Sequence, residues 1–325
     1  MPARLPTPDS RLPVVCLIAL LACTGGDGKS ADQQRLVVFN AGSLARPLRT
    51  ALDSFAGRTG VAVDQESAGS LETARKLTEL GKVPDVVALA DYEVFPQLLM
   101  PEHVTWYARF ARNRMVLAYT DRSKYAGEIT GDNWWQVLTR PGVEVGRSDP
   151  NLDPNGYRTL LTWRLAERHY RRPGLYARLE RNAPARNVRP KEADLVGLLQ
   201  AGEMDYVWSY ESIAQAAGLR YVTLPAAIDL SSVRDSATYA TASVRVAGRT
   251  RGDTVEFRGQ PIVYGYSIPV RAPHRAVAER FVAFLASADG RAILRRAGLD
   301  VLDTPAVVGT GAPPALARSA DVNAP

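Results

Sequence analysis

The sequence predicts an α/β fold of two lobes, and two observations lead to this prediction. Short apolar runs typical of buried strands alternate with stretches in which apolar residues recur at helical spacing. No low-complexity linker separates the two halves of the 325-residue chain. We therefore expect two α/β lobes that are joined by strands and not by a flexible tether.

The first predicted strands and helices lie between residues 36 and 89. Leu36–Phe39 is a short apolar run, and the helical spacing that follows it places Ser43 as a helix N-cap. Val61–Val63 precedes a second helix that begins at Ser70. Val86–Leu89 is apolar throughout, as expected for a strand buried on both faces.

The remaining elements follow from the same patterns. Two further strands are expected at Arg114–Tyr119 and Val207–Tyr210. A late hairpin is expected with Val244–Val246 and Ile262–Tyr266 as its arms. Helices are expected over residues 156–170, 191–200 and 274–287. Residues 305–325 are rich in Ala, Pro and Gly and are expected to form a disordered tail.

The N-terminus has the features of an export signal. Arg4 and Arg11 precede the apolar run Val14–Ala22, which is too short to span a bilayer. The run ends in Leu-Leu-Ala-Cys, which resembles the lipobox of bacterial lipoproteins. This resemblance implies a signal peptide over residues 1–22, lipid attachment at Cys23, and an extracytoplasmic location. Residues 23–34 would form a flexible tether. A plain secretory signal with an incidental cysteine is the alternative.

Composition excludes several classes of site. Cys16 is the only other cysteine and lies within the predicted signal peptide, so a disulfide or a thiolate metal site is not expected. The net charge of +6 is spread along the chain without a basic block. This distribution favours a mild attraction for anions and does not indicate nucleic-acid binding.

Two features indicate where an anion could bind. The predicted helices at Ser43 and Ser70 each begin after a glycine, at the same end of successive strands. Helix N-termini offer free N–H groups and the positive end of the helix dipole, which suit an anion. Farther along, Asp153 and Glu192 each lie at a predicted helix start, where an acid is ordinarily only a dipole partner, and Asn155 is the expected cap of the first of these helices.

Six motifs, in order between about Leu36 and Thr304, resemble the tungstate/molybdate-binding proteins first known from archaea. That family is a branch of the molybdate-type periplasmic binding proteins. The serine loops alone are shared with many oxyanion binders, whereas the fourth and fifth motifs are specific. The motifs are Asn40-Ala41-Gly42-Ser43-Leu44, Ala90-Asp91-Tyr92, Ser123-Lys124-Tyr125-Ala126, Ser148–Thr159, Arg189-Pro190-Lys191-Glu192 and Asp205-Tyr206.

The resemblance implies a type II periplasmic-binding-protein fold, with two α/β lobes hinged by two crossing strands around a ligand cleft. Residues 35–112 and 268–304 would form lobe I, and residues 113–267 lobe II. It implies no cofactor and no catalysis, an oxyanion ligand, an ABC permease with its ATP-binding subunit as partners, and a monomer. The implied ligand-binding residues are Gly42, Ser43, Ser70, Asp153, Pro154, Asn155, Glu192 and Tyr210.

Asp153 and Glu192 would, by the same resemblance, reach the molybdenum or tungsten of the bound oxyanion and raise its oxygen neighbours from four to six. Two carboxylates repel a dianion unless they bond directly to its central atom. Such a pair would therefore discriminate against sulfate and phosphate. The chain is shorter than expected for the family between Tyr170 and Arg189, so Glu211 is kept as the alternative carboxylate.

Other functions remain as alternatives. Asp153 and Glu192 could be the acid/base pair of an exported hydrolase, although the sequence contains no nucleophile motif and its three histidines are scattered. A binding protein for sulfate, phosphate or an iron complex is the closer rival. Iron would require exposed tyrosines, for which Tyr157, Tyr210 and Tyr266 are the candidates.

Overall fold

The computed structural model describes Met1, residues 35–250 and residues 252–317. The signal peptide beyond Met1, Cys23 and the tether, all predicted from sequence, lie outside the described residues. No helix in the described ranges is both long enough and apolar enough to cross a membrane.

The described elements alternate along the chain as the sequence predicts. The strands are β1 (Arg35–Ala41), β2 (Ala62–Ala68), β3 (Val86–Leu89), β4 (Trp106–Arg112), β5 (Met115–Tyr119), β6 (Val145–Ser148), β7 (Val188–Arg189), β8 (Tyr206–Tyr210), β9 (Arg220–Thr223), β10 (Ser243–Ala247), β11 (Thr254–Arg258), β12 (Val263–Ser267) and β13 (Asp300–Gly309). The helices are α1 (Ala45–Thr59), α2 (Ser70–Thr78), α3 (Trp134–Leu138), α4 (Pro154–His169), α5 (Leu175–Asn182), α6 (Ala193–Ala201), α7 (Glu211–Ala216), α8 (Ser236–Tyr239), α9 (Arg275–Ala286), α10 (Ala288–Arg296) and α11 (Pro314–Ala317).

Lobe I is built on a six-stranded sheet with the order β13-β4-β12-β3-β1-β2. Strand β1 runs parallel to β2 and β3, while β12 pairs antiparallel with β3 and β4. All four residues of β3 are buried, as the sequence predicts for a strand with both faces covered. The apolar stripe of α1, which includes Leu48, Leu52 and Phe55, is buried in this lobe.

Lobe II is built on a five-stranded sheet with the order β7-β6-β8-β5-β9. Strands β5 and β8 are buried along their whole length. Trp208 of β8 contacts Trp134 and Trp163 edge-to-face, with ring centroids 5.3 Å and 6.1 Å away. This aromatic cluster anchors α3 and α4 to the sheet.

The chain crosses between the lobes twice, as predicted, and the crossings lie side by side. The first crossing is Asn113 and Arg114, between β4 and β5, and the second leads from lobe II into β12. The Asn113 N–H donates to the Ile262 carbonyl at 3.2 Å. The Asn113 side chain also donates to the Ser212 hydroxyl at 2.7 Å and the Tyr264 hydroxyl at 2.8 Å.

Two predictions for the late part of the chain are wrong. The hairpin arms are β10 and β11, whereas Val263–Ser267 lies between β3 and β4 in the first sheet. Its near-continuous burial reflects a central strand, so lobe I resumes at residue 263 and not at 268. The predicted disordered tail is also wrong for residues 305–317, since β13 continues to Gly309 and α11 follows. Residues 318–325 lie outside the described part.

Candidate functional site

The predicted site residues converge where the loops after β1 and β2 in lobe I face the starts of α4 and α6 in lobe II. Asp153 accepts a hydrogen bond from the Glu192 N–H at 2.7 Å. Gly69, one residue before Ser70, lies against the backbone of Leu152 and Asp153. Gly42 faces the Lys191 and Ala193 side chains. The cleft is therefore closed over this site.

Asp153 is the N-cap of α4, and Pro154 occupies the first turn. One Asp153 oxygen accepts from the Asn155 N–H at 3.2 Å, and the other accepts from Glu192. The expectation that Asn155 caps this helix is wrong, because Pro154 has the fixed φ that suits the first helical position and the cap precedes it. Asn155 is fully buried, with its side-chain oxygen 3.4 Å from the Ser148 hydroxyl.

Glu192 is 2 % exposed and directly precedes α6. Its Oε1 accepts from the Ser209 hydroxyl at 2.6 Å and from the Tyr210 N–H. Its Oε2 is buried and has no hydrogen-bond partner in the described part of the chain. A buried, unpaired carboxylate oxygen is costly, and Oε2 is therefore a candidate contact for a ligand.

Both carboxyl groups have raised pKa values. Burial raises the pKa of Asp153 to about 6. Burial, reinforced by the nearby Asp153 charge, raises the pKa of Glu192 to about 8. Removal from water disfavours both negative charges, and the Asp153 charge adds repulsion at Glu192. Both carboxyl groups are thus costly to ionise in the closed site.

The two serines contribute hydroxyls that are not used as helix caps. The cap positions are Leu44 and Gly69, so the predicted N-cap role of Ser43 is wrong. The Ser70 hydroxyl accepts from the Ala90 N–H at 3.0 Å, which leaves its proton free to donate. Ser43 Oγ is buried beside the Tyr264 hydroxyl and has no partner of hydrogen-bonding geometry among the described residues. Both are suited to an oxyanion.

Tyr210 supports the site through its backbone, because its N–H is bound to Glu192. Glu211, the alternative carboxylate, instead pairs with Arg114 at 3.2 Å and is partly exposed. The structure therefore places Glu192, and not Glu211, beside Asp153. Over residues 35–250 and 252–317, no group of three or more His, Cys, Asp or Glu side chains could hold a metal ion.

Sequence reasoning missed Arg158, which lies one turn into α4 and is 2 % exposed. It donates to the Tyr210 hydroxyl and to the Ala90 carbonyl, each at 2.7 Å, and pairs with Asp91 at 3.0 Å. Burial lowers the pKa of Arg158, but the Asp91 charge together with Tyr210 and Tyr157 outweighs burial, and the net shift is upward. Asp91 and Arg158 both lie in motifs that resemble the family, in Ala90-Asp91-Tyr92 and Ser148–Thr159. Their pairing could not be seen in the sequence.

Comparison with known proteins places this geometry in a family. The profile of the bacterial extracellular solute-binding proteins matches residues 36–300. The chain belongs to this family. An uncharacterised solute-binding protein of Petrotoga mobilis is 45% identical, over 83% of this chain and 84% of its own length. The molybdate/tungstate-binding protein of Pyrococcus abyssi is 36% identical, over 94% of this chain and 96% of its own.

Solved structures agree on the fold of this solute-binding protein. The periplasmic molybdate-binding protein of Azotobacter vinelandii superimposes with a TM-score of 0.56 at 20% sequence identity. The superposition covers 81% of this chain and 98% of that protein. The two-lobe periplasmic-binding-protein fold predicted from the sequence is confirmed.

Proposed function

We propose that this protein captures molybdate or tungstate outside the cytoplasm and delivers it to the permease of an ABC importer, whose ATP-binding subunit drives uptake. The observation that carries the proposal is the buried Asp153–Glu192 pair, in which one Glu192 oxygen has no hydrogen-bond partner among the described residues. Membership of the solute-binding family and the molybdate/tungstate-binding relative support it. The same family membership supports binding, and not catalysis, as the role of the carboxylates.

The chemistry of the pair favours a metal oxyanion over sulfate or phosphate. Two carboxylates at about 4 Å from a dianion are repelled by several kcal/mol, even at an effective dielectric near 20. Direct bonds from hard oxygen ligands to a high-valent metal centre offset that repulsion. Molybdenum and tungsten can accept two further oxygen neighbours, whereas sulfur and phosphorus in these anions do not. The pair therefore selects for the metal oxyanions.

We assign the following roles in the bound state. Asp153 and Glu192 coordinate the metal, and Tyr210 holds Glu192 in place. Donors from lobe I, at Gly42, Ser43 and Ser70, bind the oxo groups, and the Pro154–Asn155 turn closes on the opposite side. This arrangement uses both lobes, so binding and closure are coupled.

The mode of attachment is a further part of the proposal. Lipidation of Cys23 would hold the protein at the membrane surface as a monomer. The proposed lipidation rests on the resemblance of the sequence before Cys23 to the lipobox.

Separate thermal melts with tungstate, molybdate, sulfate and phosphate test the function. A ligand that binds only the folded state stabilises it by RT ln(1 + [L]/Kd), about 2.7 kcal/mol at a hundredfold excess over Kd. We expect a large rise in Tm with the first two anions and little with the others. A rise with sulfate or phosphate instead would assign another oxyanion, and no rise with any of the four would refute the proposal.

A further inference from the structure

A buried cluster outside the carboxylate pair connects the two lobes. Asp91 and the Ala90 carbonyl follow β3 in lobe I, whereas Tyr157 and Arg158 lie on α4 in lobe II. Arg158 pairs with Asp91 at 3.0 Å and donates to the Ala90 carbonyl at 2.7 Å. The Tyr157 hydroxyl donates to Asp91 at 2.5 Å. Every one of these contacts crosses the cleft.

We propose that Asp91, Tyr157 and Arg158 form a cross-cleft latch that holds the closed form and slows release of the bound oxyanion. The inference rests on the proposed oxyanion-binding function for the identity of the ligand. It adds positioning residues that touch no ligand and act through lobe closure.

Burial of the ion pair makes the latch sensitive to closure. The Arg158 and Asp91 side chains are 2% and 3% exposed, so opening the cleft would separate them and return both charges to water. In the closed form Asp91 is compensated across the cleft by Arg158 and Tyr157, and within lobe I it accepts from the Glu93 N–H at 3.0 Å. Removing one partner leaves the other charged group buried without its paired charge, which is strongly unfavourable. The closed form would then lose stability relative to the open form, in which the remaining charge is hydrated.

The latch is also linked to the carboxylate pair. Arg158 donates to the Tyr210 hydroxyl at 2.7 Å, and the Tyr210 N–H is bound to Glu192. The guanidinium additionally attracts the Asp153 and Glu192 charges. Closure therefore completes the latch with the same residue, Arg158, that braces the Tyr210–Glu192 contact.

The test compares Asp91→Asn and Tyr157→Phe with the wild-type full-length chain. Asparagine keeps the shape of Asp91 and removes its charge, while phenylalanine removes only the tyrosine hydroxyl. The measurements are the dissociation rate of radiolabelled molybdate and the small-angle scattering curve with and without tungstate. We expect dissociation at least about tenfold faster in Asp91→Asn, as for other severed buried charge pairs. A smaller increase is expected in Tyr157→Phe, with both loaded variants less compact than the wild type.

Asp205→Asn is the matched control. Asp205 is a buried carboxylate that pairs with Lys124 at 3.0 Å and accepts from the Lys124 and Glu144 N–H groups, all within lobe II. This variant should lower Tm without changing dissociation or compactness. If Asp91→Asn fails to fold, the measurements on Tyr157→Phe alone test the latch proposal.

The latch proposal would be overturned if the folded Asp91→Asn and Tyr157→Phe variants had the same dissociation rate and the same compactness as the wild type. If the wild type binds neither anion, the proposed function fails. The latch is then tested separately by comparing the scattering curves of the ligand-free wild type and variants. A ligand-free wild type more compact than the latch variants would support it. Identical curves would overturn it.

Discussion

At the scale of single residues, the site depends on an arrangement that a structural role does not explain. Glu192 is buried with one oxygen unpaired, and Asp153 lies close enough to accept from its N–H. Folding stability alone would favour an apolar or fully paired side chain there. Under the proposed function, the arrangement would become favourable when a high-valent metal centre takes up both carboxylates.

Replacing either carboxylate should remove most of the affinity. Glu192→Gln and Asp153→Asn keep the side-chain shape but lose the anionic oxygen that would coordinate the metal. We expect the Kd for tungstate, measured by calorimetry, to rise by more than the roughly 10–100-fold that loss of an outer-shell partner costs. Glu211→Gln is the control, because Glu211 pairs with Arg114, and its Kd should stay close to wild type. Unchanged affinity in both site variants would disprove coordination.

The ligand-free protein should lose stability as the pH rises toward 8. The pKa of Glu192 is raised by burial and by the Asp153 charge from 4.5 to about 8, so the folded closed form keeps a proton that the unfolded chain releases. When the folded state binds more protons, stability falls with rising pH. Folding stability should fall between about pH 4.5 and about pH 8, and this fall should end above pH 8. Thermal melts of wild type and Glu192→Gln should diverge across this window, and a constant difference in Tm would contradict the assignment.

At the scale of elements, the start of α2 meets the turn before α4 at very short range. The Leu71 and Glu72 N–H groups donate to the Leu152 carbonyl at 3.1 Å and 3.2 Å, across the cleft. A Cβ on Gly69 would overlap that carbonyl. The φ of Gly69 is −64°, which any residue adopts, so it is this close approach that requires glycine.

Gly69→Ala should therefore impair closure more than folding. The added methyl group overlaps the Leu152 backbone only when the lobes are closed, so we expect tungstate affinity to fall at least about tenfold, since rigid backbone cannot yield to overpacking. The Tm of the ligand-free protein should change little. Gly57→Ala on α1 is the matched control, as its Cβ would meet nothing within 4 Å. Equal affinities in the two variants would show that the lobes do not close at this contact.

The elements that the sequence predicted well share a strong local pattern. Val86–Leu89 and Val207–Tyr210 are runs that can be recognised as buried strands from the local sequence alone. Helix α1 carries an apolar stripe of helical period. The site residues could be proposed only because their motifs resemble those of a known family. Spacing alone left Asp153 and Glu192 as ordinary acids at helix starts.

The elements that were missed depend on partners distant in the sequence. Thr254–Arg258 alternates in exposure and pairs with its neighbour β10, whereas Val263–Ser267 takes its partners from β3 and β4. Residues 305–309 have the composition of a tail but pair with β4. Arg158 is an unremarkable helical arginine until Asp91, 67 positions earlier, is brought to it by closure of the lobes.

At the scale of the whole molecule, function follows from contacts that exist only when both lobes meet. Lobe I supplies Ser43, Ser70 and Asp91, while lobe II supplies the carboxylate pair and Arg158. In the proposed bound state, the metal centre would offset the cost of ionising the two buried carboxyl groups. Under the proposed function, the ligand would stabilise the closed form that a permease recognises as loaded.

X-ray absorption at the tungsten edge of the tungstate-loaded protein tests the central claim most directly, because it counts the oxygen atoms around the metal. With Asp153 and Glu192 bound, we predict six oxygen neighbours in the wild type and fewer in Glu192→Gln. Four equivalent oxygens, as in free tungstate, would contradict the account even if the anion binds tightly.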